Sequence, residues 1–259
     1  MPTSSSGPLS SGPLSSGPLS SGPLSSGPFS STALVSPDSS TQPSAQQPST
    51  QQLSESDDTH CSPLRLGIMA SGSGSNFEAI AQAIERKDLN ARIEVVIYNN
   101  PGARVVERAH RLGIPAQLIN HREFESREAL DLAIVAALRS HGVTWVIMAG
   151  WMRRVTQQLI SAFPQRILNI HPSLLPSFPG INAVKQALNA QVKITGCSVH
   201  YVELVVDSGP IIMQAAVPVL PNDTEKTLQA RIQVQEHRIF PQAIKIAAQA
   251  YASNVETSP

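Results

Sequence analysis

Apolar residues recur along the chain in two periods, and from residue 64 onward the two alternate. Leu64-Arg65-Leu66-Gly67-Ile68-Met69-Ala70 is a short, mostly apolar run that predicts a strand over 64–70. Phe77, Ile80, Ala81 and Ile84 then fall at helical spacing and predict a helix over 77–85. The switch repeats: strand 93–98, helix 103–112 ended by Gly113, strand 115–119, helix 126–140 with Leu130, Ile134, Ala137 and Leu138 on one side, and strand 143–149. A short helix over 157–163, a strand over 166–170, a helix over 181–190 and strands over 195–203 and 211–217 follow. The last stretch, 224–251, reads as helical but interrupted near Pro241. Strands alternating with helices predict an α/β fold: a Rossmann-like, doubly wound, mostly parallel sheet of about seven strands in one domain over 63–253.

The N-terminal part has a different texture. Between residues 5 and 29 the unit Ser-Ser-Gly-Pro-Leu occurs five times, with Phe29 in place of the last Leu. No Lys or Arg precedes Arg65. Such a tract buries too little apolar surface to offset chain entropy, so residues 1–62 are predicted to be a disordered, dispensable tail. The charge balance, 19 basic against 19 acidic residues, offers no electrostatic footprint for nucleic acid or an anionic membrane. Aromatic residues make up 4% of the chain, too few for a nucleic-acid stacking surface. Cys61 and Cys197 show no disulfide or zinc spacing and read as free thiols of a cytoplasmic protein. No metal-ligand cluster is legible, and no run is long and apolar enough to span a membrane.

Three segments carry candidate chemistry. In Asn169-Ile170-His171-Pro172 the amide and the imidazole are two residues apart on a strand, so both project to one face where the strand ends. An amide donates to a developing oxyanion, and an imidazole donates or relays a proton near neutral pH. Ser71-Gly72-Ser73-Gly74-Ser75-Asn76 joins a strand to a helix, where backbone N–H groups suit an anion, a small phosphate first of all. Ser75 and Glu78 also fit a capping box. Asp207-Ser208-Gly209-Pro210 is a turn between two strands, placed to return to the edge that carries Asn169. An Asp there orients a His or takes a proton through water. His200, on a strand with Ser198 and Tyr201, reads as a supporting residue; Glu236-His237, on a helix, reads as a packed or solvated pair.

These motifs, in this order, resemble the phosphoribosylglycinamide formyltransferase (GAR transformylase) family over about 66–250. Also matching are Ser126-Arg127-Glu128, Ala149-Gly150-Trp151-Met152-Arg153, residues 168–176, Thr195-Gly196-Cys197-Ser198-Val199-His200 and Gln235-Glu236-His237. The resemblance implies the formyltransferase fold and transfer of a formyl group from 10-formyltetrahydrofolate, a co-substrate, to the amine of glycinamide ribonucleotide. It implies a catalytic trio of Asn169, His171 and Asp207, and ribonucleotide contacts from Gly74, Ser75, Asn76 and Glu236. Folate contacts are implied for Arg127, Met152, Arg153, Arg154, Val155, Asn169 and Val202. It implies small-molecule partners, no metal, and a monomer or homodimer. Val184 stands where relatives often carry His, and Glu203-Leu204-Val205-Val206 is less acidic and less Gly-rich than usual. A formyltetrahydrofolate hydrolase on the same core is the rival, but the resemblance puts a folded regulatory domain ahead of such a core, where this chain has its repeat.

Overall fold

The computed structural model describes residues 62–256. The tail predicted over 1–62, with His60 and Cys61, lies outside the described residues except for Ser62. Among the described residues seven strands are formed: β1 (Leu64–Ala70), β2 (Ala91–Tyr98), β3 (Ala116–Leu118), β4 (Trp145–Met148), β5 (Ile167–His171), β6 (Ile194–Tyr201) and β7 (Ile211–Pro218). Six α-helices connect and follow them: α1 (Ser75–Glu85), α2 (Val105–Arg111), α3 (Arg127–Ser140), α4 (Gln157–Ala162), α5 (Ala183–Asn189) and α6 (Glu225–Glu256). A 3-10 turn, His121–Glu123, was not legible as an element, its three residues being polar.

One sheet runs in the order β3-β2-β1-β4-β5-β6-β7. The first five strands are parallel, and β6 and β7 return antiparallel at one edge. Parallel strands are buried on both faces, which is why their sequences read as apolar runs. Alternation inside each run sorts the side chains. Leu66, Ile68, Trp145, Ile147, Leu168 and Ile170 join the layer holding α1, α2, α5 and α6. Met69, Val95, Ile97, Val146, Met148 and Ile167 join the layer of α3 and α4. Full burial of a side chain such as Ile147 contributes about 1.5–3 kcal/mol against leaving it in water.

Two expectations require correction. α6 runs through Pro241 without a break. The missing N–H removes one helical hydrogen bond, but Ile239, Phe240, Ala243 and Ile244 are buried on either side of the proline, and their packing holds the axis together. Nor do Ser75 and Glu78 form a capping box. The N-cap of α1 is Gly74, in the left-handed region at φ 74°, with no side-chain cap.

β6 lies close enough to its edge partner that position 196 admits no side chain. A Cβ on Gly196 would sit 2.0 Å from the Ala215 carbonyl oxygen and 2.9 Å from Leu174 Cδ2. Gly196→Ala is therefore expected to cost about 3 kcal/mol, the upper range for overpacking. A urea midpoint unchanged from the parent chain would show that β7 yields instead.

Candidate active site

The order of strands reverses around β1, and the carboxyl ends of β1, β4 and β5 open into a cavity of about 840 Å³. Open α/β sheets place ligands at such a switch point. The cavity wall includes residues 71–76, Met152, Arg153, Arg154, Val155, Asn169, His171, His200, Val202, Asp207 and Glu236. A recess of about 700 Å³ adjoins it, lined by Arg127 and sharing Arg154 and Val155 with it. Arg127 thus faces the recess and not the main cavity.

The glycine loop between β1 and α1 is pinned through its carbonyl oxygens. Asn100 Nδ2 donates to Ser71 O (2.8 Å), Val105 N to Gly72 O (3.1 Å), Arg108 Nε to Ser73 O (2.9 Å) and Glu78 N to Gly74 O (3.0 Å). Each peptide is planar and trans, so a carbonyl held one way aims the following N–H the other way. The N–H groups from Gly72 to Asn76 have no acceptor among the described residues. Together with the α1 N-terminus they form a cluster of free donors suited to an anion. Asn76 Nδ2 donates to Glu236 Oε2 (2.9 Å), across 160 residues of chain. Burial pushes the Glu236 carboxyl up, against the lowering bond from Asn76. Asn76 Oδ1, also buried, has no partner among the described residues.

The polar centre lies on the β5–β6 pair. Asn169 stands directly opposite His200 in the antiparallel register. Residues so paired are cross-strand neighbours, and Asn169 Nδ2 lies 3.1 Å from His200 Nε2. His200 Nδ1 donates to the Tyr201 carbonyl (2.7 Å), so Nε2 accepts from and orients the Asn169 amide in the neutral ring and faces Asp207 as a donor in the protonated one. The other amide hydrogen of Asn169 remains free for a ligand. His171 Nε2 donates to the Phe178 carbonyl (2.8 Å), and its Nδ1 lies 3.3 Å from Asp207 Oδ2. The same Asp207 oxygen accepts from Gly180 N (2.7 Å), while Oδ1 lies 3.6 Å from His200 Nε2. Asp207 has φ 54°, a left-handed turn conformation that Asp tolerates better than most residues. Burial pushes its carboxyl up. Hydrogen bonds from protonated His200 and from Gly180 N, with the charges that His171 and His200 carry when protonated, outweigh burial and hold it below its ordinary value.

Beyond this centre, Met152 N donates to Ser71 Oγ (2.8 Å), joining the loop after β4 to the loop after β1. That loop is also held from behind, where the buried Asp131 of α3 accepts from Thr156 N (2.5 Å). Burial raises the Asp131 carboxyl despite that bond. Arg127, Arg153 and Arg154 are exposed and have no carboxylate partner among the described residues. Val184 is a core residue in the first turn of α5, only 3% exposed. Among the described residues no group of three His, Cys, Asp or Glu is placed to hold a metal ion, and no helix is long and apolar enough to cross a membrane.

The sequence understated His200. It is in direct contact with two members of the polar centre, and only the β5–β6 register reveals this. Glu236 likewise could not be placed from its helix. It is 4% exposed and lies in the cavity wall.

Residues 64–244, which include the switch-point cavity, its glycine loop and the Asn169, His171 and Asp207 side chains, match the family described as formyl transferase. The phosphoribosylglycinamide formyltransferase of Bacillus subtilis is 41% identical over 181 residues, covering 70% of this chain and 93% of its own. The human trifunctional purine biosynthetic protein adenosine-3 is 41% identical over 184 residues, 71% of this chain but 18% of its own length. The chain spans 14% of the corresponding Drosophila pseudoobscura protein, to which it is 44% identical. The crystal structure of glycinamide ribonucleotide transformylase 1 from Symbiobacterium toebii superposes with a TM-score of 0.71 at 47% identity, covering 73% of this chain and 89% of that one. The chain belongs to the formyl transferase family, and within it to the phosphoribosylglycinamide formyltransferases.

Proposed function

We propose that the protein transfers a formyl group from 10-formyltetrahydrofolate to the amine of glycinamide ribonucleotide, giving formylglycinamide ribonucleotide and tetrahydrofolate in de novo purine biosynthesis. The observation that carries this reading is that one cavity wall holds both the free-donor loop at 71–76 and the Asn169–His171–Asp207 centre. A phosphorylated nucleophile and a formyl donor can therefore be held together, and positioning of that kind supplies much of a rate enhancement.

In this reading the ribonucleotide phosphate sits on the N–H groups of Gly74, Ser75 and Asn76, and Glu236 receives the ribose hydroxyls. The folate lies along Met152, Arg154, Val155, Asn169 and Val202. Arg153 in the cavity and Arg127 in the adjoining recess meet its carboxylates as bidentate partners. The amine attacks the formyl carbon, a C–N bond forms, and negative charge builds on the formyl oxygen. The free amide hydrogen of Asn169 receives that charge, with the amide held at the correct angle by His200. Asp207, ionised and paired with His171, takes the proton from the attacking nitrogen directly or through water. The bond from the formyl carbon to N10 then breaks, and N10 takes up the proton that Asp207 received, which restores the carboxylate. His171 has no unengaged N–H in this arrangement, so it reaches the oxyanion only by exchanging its Phe178 partner.

Every residue named lies on one chain, so a monomer suffices and a homodimer would carry two independent sites. The partners are small molecules, and the compartment is the cytoplasm. The test is an assay with both substrates in which the formylated ribonucleotide is identified directly. Formyl transfer that requires the ribonucleotide is expected, and formate release that ignores it would replace this reading with the hydrolase.

A further inference from the structure

Arg108 has no role in the scheme above, yet its side chain grips the backbone of the anion loop from α2. Its Nε donates to Ser73 O at 2.9 Å, and its Nη1 pairs with Glu78, which also pairs with Arg111. The side chains of Arg108 and Glu78 are 26% and 22% exposed, whereas that of Arg111 is 62% exposed. We infer that Arg108 is a positioning residue for the ribonucleotide phosphate, setting both the direction of the Gly74 N–H and the sign of the charge behind the loop. The inference rests on the phosphate reading of this loop.

Two physical arguments support it. The Ser73 carbonyl and the Gly74 N–H belong to one planar trans peptide and point oppositely. Holding the oxygen on Arg108 keeps that N–H turned away from α2 and without an internal acceptor. The second argument is electrostatic. Glu78 sits in the first turn of α1, where its negative charge would oppose an incoming phosphate. Two guanidinium groups around one carboxylate leave a surplus positive charge there. Arg108 supplies the half-buried share, which salt screens least.

The experiment compares Arg108→Met, Arg108→Lys and Arg111→Met in the full chain, with KM for each substrate, kcat, inhibition by inorganic phosphate, and melting temperature. Removing a charge-assisted bond and its charge is expected to raise the ribonucleotide KM of Arg108→Met about ten- to a hundredfold. Its phosphate inhibition should weaken by the same factor, while its kcat and folate KM stay within about threefold. Arg108→Lys keeps the charge without the fork and should fall between the two. Arg111→Met, which loses the exposed, salt-screened share of that charge and no contact to the loop backbone, should raise the ribonucleotide KM by no more than about threefold. If Arg108→Met does not fold, Arg108→Lys decides: an intermediate ribonucleotide KM supports the inference, and a parental one overturns it. An unchanged ribonucleotide KM in Arg108→Met, or both substrate KM values rising together with a lowered melting temperature, would also overturn it. A parent chain that does not formylate the ribonucleotide fails the functional reading itself, which separates the two failures.

Discussion

Asp207→Asn is expected to lower kcat about a thousandfold while leaving the ribonucleotide KM within about threefold, because the substitution removes proton transfer and spares the anion loop. Asn is the informative replacement. It tolerates the left-handed backbone at φ 54° and retains an oxygen to accept from Gly180 N. What it loses is the charge facing His171 and the capacity to take a proton. Steady-state kinetics with both substrates varied makes the check, and near-parental turnover would remove Asp207 from the mechanism. The substitution also changes acid stability. The Asp207 carboxyl is held below its ordinary value in the folded chain, so its ionisation stabilises the fold above about pH 4. That contribution is lost as pH falls through the lowered value, and the Asn variant never has it.

Gly74→Ala should abolish most of the ribonucleotide affinity. The residue has φ 74°, and a Cβ there would lie 2.5 Å from Val105 Cγ2 and 3.0 Å from Val105 Cα. The left-handed conformation alone costs a non-glycine residue about 1–2 kcal/mol. The contact is with the root of a β-branched side chain and its backbone, which cannot swing aside, so the loop must move. A shift of about 1 Å in positioning groups costs on the order of a hundredfold. The ribonucleotide KM is accordingly expected to rise about a hundredfold and the folate KM by much less. Equal losses toward both substrates would mean that the whole cleft, and not the anion loop, depends on Gly74.

What could be read from the sequence follows the range of the forces involved. β1, β4 and β5 were legible because a strand buried on both faces must be apolar throughout. The glycine loop was legible because its conformation is dictated by the residues that form it. Long-range pairings were not. The contact of Asn169 with His200 depends on strand register across 31 residues, and that of Asn76 with Glu236 on α6 packing beside α1. The capping box failed for a related reason. Ser75 and Glu78 have the right spacing, but Arg108 and Arg111 draw Glu78 away, and Gly74 takes the cap. α6 passes through Pro241 because tertiary packing outweighs a local preference.

The segment between β5 and α5 carries two fastenings two residues apart, Phe178 O on His171 and Gly180 N on Asp207. One wall of the cleft is thus latched by the groups assigned to the chemistry. In the proposed scheme, when Asp207 takes up the proton of the attacking amine, it loses its charge and becomes a poorer acceptor for Gly180 N, and its pairing with His171 slackens. The wall is therefore least firmly held just after the new bond has formed. Once that proton has passed to N10 the carboxylate is restored and the latch re-forms, so in the proposed scheme the wall is loose only while the tetrahedral adduct is present.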